Sequence, residues 1–201
     1  WVQKDGNWLY IKDGVFLTNC VVKIGDSYYG FDGDRRMYTD EGFYARDEAS
    51  GEYGYYRASS NGVLYTNKWL SGENGVNYYG KDAKRCTGLQ TINGTQYFFD
   101  SEGRLCFSQI IVLDGLNYYC DANGIVNEMP NNQWYQSNDG DWYFVQDGTV
   151  LRNCTTQVYG KWYRFDYNGK LNTKALNTDE SGAIRVNTWY YDGSHWSYYG
   201  G

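Results

Sequence analysis

Residues 87–103, with the sequence TGLQTINGTQYFFDSEG, decide the fold of this chain. Two short runs that alternate polar with aromatic or β-branched residues flank the pair Asn93-Gly94. Asparagine and glycine readily adopt the positive φ angles of a tight hairpin turn, and alternating runs of this length are typical of β-strands. The segment therefore predicts a β-hairpin that is followed by a second, glycine-containing turn.

The same pattern recurs along the whole chain. Each repeat contains a short strand segment rich in aromatic residues, which we call its phrase, and a glycine turn follows within a few residues. No segment shows helical periodicity with helix caps. We call the first residue of each phrase its slot; the eight slots are Trp8, Tyr28, Tyr55, Asn77, Gln96, Asn117, Trp142 and Trp162. Repeats of this size form arrays whose units bury apolar faces against their neighbours. The sequence predicts an all-β solenoid of stacked β-hairpins, built from aromatic-rich repeats of about 20 residues.

The sequence also contains a longer repeat that spans more than one of the short repeats. Residues 8–40 and 142–174 align without gaps at an offset of 134, and ten of the 33 positions are identical. Pro130, the only proline, falls in an insertion before the second copy. We expect a single hairpin array over residues 1–201, with a long block at 1–80, short repeats at 81–128 and a second long block at 129–201.

Composition narrows the class of ligand. Aromatic residues make up 19% of the chain, and the net charge is −6. Nucleic acids and anionic membranes attract basic surfaces, so we expect neither as a partner, and no apolar run is long enough for membrane insertion. A neutral or cationic ligand fits better. No signal peptide is visible, and the abrupt start at Trp1 favours a piece of a longer protein.

The five cysteines follow no metal-binding pattern. There is no CxxC pair and no Cys/His cluster, so we predict no metal site. We favour reduced, structural thiols, with disulfides of a small secreted scaffold as the alternative. Cys120 takes the position held by phenylalanine in other repeats, which predicts a small core residue. The others are Cys20, Cys86, Cys106 and Cys154.

No arrangement of catalytic residues stands out. The acidic pairs Asp47-Glu48 and Asp179-Glu180 are adjacent in sequence and lie outside any predicted pocket. His195 is the only histidine, and there is no glycine-rich phosphate loop or EF-hand motif. We expect a protein that is not an enzyme and has no cofactor, whose Asp-Gly and Asn-Gly pairs are turns.

Residues 87–103 closely resemble the cell-wall-binding or choline-binding repeat superfamily. The superfamily includes the glucan-binding repeats of streptococcal glucansucrases and the combined repeats of clostridial toxins. The resemblance covers most of the chain and is strongest at 8–40, 87–126 and 142–174. It implies a non-catalytic binding module of a secreted or cell-surface protein of a Gram-positive bacterium, with carbohydrate or choline held between hairpins. The Gly-Trp position of choline binders holds Phe43, Leu89 and Ile110 in several units, which favours a glycan over choline.

Aromatic slots cluster at the two ends of the chain. In each phrase the alternate residues, such as Tyr163 and Phe165, are predicted to form the core, so the slots should face outward. Flat aromatic rings can contact the C–H face of a sugar or surround a quaternary ammonium. We predict two ligand-binding zones with a scaffolding middle, although such rings can also simply pack between hairpins. The preferred zone comprises Trp134, Trp142 and Trp162. Its counterpart comprises Trp1, Trp8 and Tyr28. Trp69 and Trp189 extend the two zones.

These observations favour a carbohydrate-binding module for an α-glucan such as starch or dextran, bound through outward-facing Trp and Tyr. We expect it to be part of a larger multidomain protein that is secreted or lies on the bacterial cell surface. A choline-binding or cell-wall-anchoring module is one alternative. A structural spacer or adhesin segment is the other.

Overall fold

Short alternating runs separated by Gly-containing turns fold as β-hairpins throughout the chain. The computed structural model describes residues 1–72, 75–173 and 177–200. Within these ranges the regular structure consists of twenty-two β-strands and no helix. The all-β prediction is therefore confirmed.

The chain divides into two compact units. The first contains Trp1–Gln90 and Phe99–Leu105, and the second contains Thr91–Phe98 and Cys106–Gly201. The division falls within the hairpin predicted at residues 87–103. The block boundaries at 80 and 128, and the single continuous array, stay predictions.

Ten strands precede this hairpin. The strands are β1 Val2–Lys4, β2 Asn7–Leu9, β3 Ile11–Lys12, β4 Val15–Phe16, β5 Cys20–Ile24, β6 Ser27–Phe31, β7 Gly42–Asp47, β8 Tyr53–Arg57, β9 Lys68–Gly72 and β10 Gly75–Tyr79. Most pair as antiparallel hairpins, and the strands β5 to β8 join in one sheet of order β6-β5-β7-β8. The hairpin at the division is β11 Gly88–Ile92 with β12 Thr95–Phe99.

Ten strands follow it. They form the sheets β13-β14-β15, β16-β17-β18, β19-β20 and β21-β22, all antiparallel. The strands are β13 Gln109–Leu113, β14 Leu116–Cys120, β15 Val126–Glu128, β16 Gln133–Gln136, β17 Trp142–Gln146, β18 Thr149–Val150, β19 Cys154–Val158, β20 Lys161–Phe165, β21 Thr188–Tyr191 and β22 Trp196–Tyr199.

Turn chemistry matches the sequence prediction. Asn93 and Gly94 have φ angles of 51° and 82°, as a two-residue hairpin turn with the right twist requires. An aspartate organises the turn after several of the hairpins: one carboxylate oxygen of Asp32 accepts the backbone N–H groups of Asp34 and Arg36 at 2.8 Å each. The same double contact recurs at Asp100, Asp121, Asp166 and Asp179. These aspartates act as turn formers.

A recurring backbone hydrogen bond joins successive hairpins. The N–H of Leu171, just beyond one hairpin, donates to the carbonyl of Trp142 in the preceding hairpin at 2.7 Å. Equivalent bonds run from Met37 to Trp8, Leu64 to Tyr28, Arg85 to Tyr55, Leu105 to Val76 and Ile184 to Trp162. The acceptors are the predicted slots with one exception. The slot assigned to Asn77 was wrong by one residue, because Val76 occupies the equivalent position.

The core is built from the inner residues of each phrase. Phe31, Phe99 and Phe165 are almost completely buried, as is Cys120, which replaces phenylalanine as predicted. Cys120 packs with Cys106 and Val126. A hydrogen bond with the Cys106 thiol and burial both raise the pKa of Cys120, so its thiol stays neutral. All five cysteines are free thiols.

Asn117 and Gln96, two amide residues at slots in the middle of the chain, differ in their structural role. The Asn117 side chain, 6% exposed, donates from Nδ2 to the carbonyl of Gly148 at 2.9 Å. The Gln96 side chain is exposed to solvent. Asn117 therefore contributes to the packing of one hairpin on the next, whereas Gln96 does not.

Asn117→Ala is expected to lower the free energy of unfolding by about 1–3 kcal/mol, because it leaves the Gly148 carbonyl without its partner. Gln96→Ala removes an amide from an equivalent but exposed slot and is expected to change stability by less than about 0.5 kcal/mol. Urea unfolding of both variants, followed by tryptophan fluorescence, measures the difference. Equal unfolding curves for the two variants would contradict the scaffolding role of Asn117.

Candidate functional site

Trp134 lies at the centre of an aromatic cluster in the second unit. Its ring centroid lies 6.4 Å from that of Trp142 and 5.2 Å from that of Phe144, both on the paired strand β17. It also lies 4.8 Å from Tyr163 and 5.9 Å from Phe165 on β20. Alternate residues of a strand share a face, so both β20 rings contact the same tryptophan. Trp134 is thus held between two successive hairpins.

A cavity of about 440 Å³ opens beside this cluster. Its aromatic walls are Trp134, Trp142 and Tyr163, and the Trp142 side chain is 37% exposed. The remaining described lining residues are Leu171, Thr173, Glu180 and Ser181. Apolar rings combined with a few polar groups are typical of small-ligand sites. The rings can contact a sugar face or an ammonium group, while the hydroxyls and the carboxylate can hydrogen-bond a polar rim.

The first unit contains the same aromatic cluster. The ring of Trp1 lies 6.3 Å from Trp8, 5.0 Å from Tyr10, 4.9 Å from Tyr29 and 6.0 Å from Phe31. Each distance agrees to within 0.2 Å with its counterpart around Trp134. The long sequence repeat has therefore produced two copies of one side-chain arrangement. In both, the outer tryptophan is partly exposed, and Trp8 is 44% exposed.

In each of the two predicted zones, two of the three named residues lie together. Trp134 and Trp142 lie together, as do Trp1 and Trp8, but the expected third members lie elsewhere. Trp162 is not among the described residues that line the cavity, because it lies one position from Tyr163 on β20 and points to the opposite face. Tyr163, which the sequence analysis assigned to the core, takes its place.

Tyr28 is likewise replaced by its neighbour. Its ring packs against the core cluster that contains Val21 and Tyr56 in the first unit. Tyr29 contacts Trp1 instead. Tyr28 borders a separate cavity of about 410 Å³ whose lining is mostly charged and includes Lys23 and Asp47. Tyr28 and Trp162 therefore lie outside the two tryptophan clusters, and their part in ligand binding stays a prediction.

Trp69 and Trp189 occupy positions equivalent to Trp134. Each lies on the first strand of a hairpin, opposite an aromatic ring of the second strand: Trp69 lies 4.8 Å from Tyr78, and Trp189 lies 5.3 Å from Tyr198. Trp69 also lies 5.7 Å from Phe99. Their part in ligand binding stays a prediction.

Glu48 and Asp179 have partners in the protein, but Glu180 borders the cavity beside Trp134, and Asp47 and Glu48 border the cavity at Tyr28. The expectation that the acidic pairs lie outside any pocket was therefore wrong. Glu48 forms an ion pair with Lys12 at 2.8 Å. The carboxylate of Asp179 accepts hydrogen bonds from Ser181 and Ala183 within a turn, and the Ser181 hydroxyl in particular lowers the pKa of Asp179. Among the residues with described positions, no three His, Cys, Asp or Glu side chains are grouped to hold a metal ion. The same residues include no helix that could cross a membrane.

Two relatives match almost the whole chain. It is 28% identical to glucosyltransferase-S of Streptococcus mutans over 94% of this chain, and 29% identical to glucosyltransferase-I of Streptococcus downei over 96%. It spans only 12% and 11% of those two proteins. No protein-family model matches the chain.

Solved structures share the fold. CbpJ from Streptococcus pneumoniae superposes with a TM-score of 0.56, at 21% identity, over 99% of this chain and 84% of that one. Choline binding protein F of the same species gives 0.52, at 24% identity, over 86% and 56%. The fold is that of the choline-binding repeat proteins, and the predicted stacking of β-hairpins is confirmed. The resemblance to the cell-wall-binding and choline-binding repeat superfamily is confirmed with it.

Proposed function

We propose that this chain is a non-catalytic carbohydrate-binding module that holds an α-glucan, starch-like or dextran-like, on its two tryptophan clusters. The observation that carries the proposal is the duplicated ring arrangement around Trp134 and Trp1, in which the outer tryptophan, Trp142 or Trp8, is partly exposed. Similarity to glucosyltransferases over nearly the whole chain supports a glucose polymer as the ligand class. A net charge of −6 does not repel a neutral polymer.

Binding in this proposal follows the chemistry of the cavity walls. The partly exposed ring of Trp142 contacts the C–H groups of a glucosyl ring and removes them from water, with the more buried Tyr163 lining the cavity beside it. Glu180, Ser181 and Thr173 then exchange hydrogen bonds with the ring hydroxyls. The apolar contacts supply affinity, and the polar groups select orientation.

The chain would act as one part of a larger protein. It spans about a tenth of the glucosyltransferases that it resembles, so we propose that catalysis, where present, resides in other segments. We also propose an extracellular location, either secreted or on the bacterial cell surface. There the polysaccharide ligand would be accessible.

Choline binding is the second candidate function. Three aromatic residues, Leu171 and the acidic residue Glu180 line the cavity. Such a site can hold a quaternary ammonium by cation–π attraction, with about 0.5–2 kcal/mol per ring contact. The named ligand of choline binding protein F supports this alternative. A spacer or adhesin role is the third possibility.

Affinity gel electrophoresis distinguishes the three functions. Gels contain dextran, soluble starch or no polysaccharide, and each is run with and without free choline. We expect dextran or starch to retard the protein, and we expect choline to leave the retardation unchanged. Release from a choline-substituted resin by free choline, with no retardation by either glucan, would replace the first function with the second. No response to any of these ligands would leave only the spacer or adhesin role.

A further inference from the structure

A different kind of cavity lies in the first unit. It has a volume of about 540 Å³ and is lined by two arginines, Arg57 and Arg85, and by three tyrosines, Tyr55, Tyr65 and Tyr79. None of its described lining residues carries a carboxylate. Its described lining therefore carries two positive charges and no negative one, in a chain with a net charge of −6. Its chemistry therefore differs from that of the tryptophan clusters.

Arg85 is held in place but incompletely satisfied. Its guanidinium lies 4.1 Å from the ring centroid of Tyr55, and its backbone N–H donates to the Tyr55 carbonyl at 2.8 Å. Its Nε atom is buried and has no hydrogen-bond partner among the described residues. Gly103 crowds this atom, since a Cβ there would lie 2.5 Å from Nε. A buried donor without a partner carries a free-energy cost, and the described residues do not relieve it.

The described part of the chain supplies no carboxylate partner to either guanidinium of the cavity. Among the described residues, Arg57 and Arg85 form no ion pair, whereas Arg36 and Arg104 each pair with an aspartate. Arg57, Arg85 and Tyr79 line the same cavity. Burial raises the pKa of the Tyr79 hydroxyl, and the charges of both arginines oppose this rise.

We propose that this arginine cavity binds an anionic group, a phosphate or a carboxylate, carried by a ligand of the chain. A guanidinium offers a planar pair of donors that matches the oxygens of either group. Tyrosine hydroxyls add further donors. A neutral glucan has no such group, so this site goes beyond the carbohydrate-binding function. It assigns a second ligand chemistry to the same chain.

Isothermal titration calorimetry on the full chain at low ionic strength tests the proposal. The probes are glucose 1-phosphate, inorganic phosphate and glucuronate, which separate a phosphate ester from free phosphate and from a carboxylate. We expect at least one probe to bind. We expect Arg57→Gln and Arg85→Gln each to weaken that binding at least fivefold. Arg104→Gln is the matched control, since Arg104 is already paired with Asp100, and it should leave binding unchanged.

The outcomes are decisive in both directions. If glucose 1-phosphate and free phosphate bind but glucuronate does not, the ligand group of the cavity is a phosphate. If only glucuronate binds, the ligand group is a carboxylate. No binding of any probe, or binding that survives both arginine substitutions, overturns the proposal. If Arg85→Gln does not fold, as judged by circular dichroism, Arg57→Gln and Arg85→Lys provide the test. Retardation of Arg57→Gln by dextran or starch reports on the glucan-binding function separately.

Discussion

Trp8→Ala/Trp142→Ala is expected to abolish retardation by dextran and starch while the protein stays folded. Each substitution removes the partly exposed wall of one tryptophan cluster, with 44% and 37% of the side chain exposed respectively. Because Trp134 and Trp1 remain, the packing between hairpins is kept. The loss should therefore appear in binding far more than in stability.

The single variants are expected to show how the two sites cooperate. A polymer offers many identical sugar units, so two sites on one chain raise its apparent affinity by avidity, often about 10²-fold or more. Trp142→Ala should remove most of this gain on a polysaccharide. With a short oligosaccharide that fills one site, calorimetry should give one site in place of two, with an unchanged dissociation constant.

Trp162→Ala is the control for this prediction. It removes the same side chain from an equivalent slot, but this ring lies outside the described lining of the cavity. We expect Trp162→Ala to keep its retardation in the gels. If Trp162→Ala loses binding while Trp142→Ala keeps it, the ligand contacts the opposite face of β20, and the tryptophan clusters are packing alone.

The repeat made the hairpins and their turns predictable from the sequence. Asn93-Gly94 required two positive φ angles, and the alternation around Phe165 required one buried face. The error at Asn77 has a local cause. Gly80 takes the turn position that Asp32 holds elsewhere, since its N–H donates to the Lys84 carbonyl as that of Asp32 donates to Arg36. Val76 stands four residues before Gly80, so the slot falls at Val76 and not at Asn77.

The composition of the site was harder to predict. Strand alternation assigned Tyr163 to the core and Trp162 to the outside, and Tyr163 is indeed buried. Yet Trp134 from the preceding hairpin lies across β20, so the cavity opens on the face of Tyr163. Such a contact depends on how one hairpin packs on the next. Arg57 and Arg85 line one cavity for the same reason, although nothing in their sequence spacing relates them.

Phe165→Ala is expected to cause the largest loss of stability in the second unit, about 3–5 kcal/mol. The Phe165 side chain is 1% exposed and packs in one cluster with Phe144, Val158 and Tyr163. Its removal loses the transfer free energy of the ring and leaves a cavity that surrounding strands fill only partly. Urea unfolding followed by tryptophan fluorescence measures the loss.

Tyr167→Ala is the matched control, because this ring lies two residues further along and is 81% exposed. It is expected to change stability by less than about 0.5 kcal/mol. Binding provides a second readout at temperatures where Phe165→Ala is still folded. Since the ring of Trp134 stacks on Phe165 at 5.9 Å, loss of this support should let Trp134 shift and weaken glucan binding. A folded Phe165→Ala variant with full retardation would show that the site does not depend on the core beneath it.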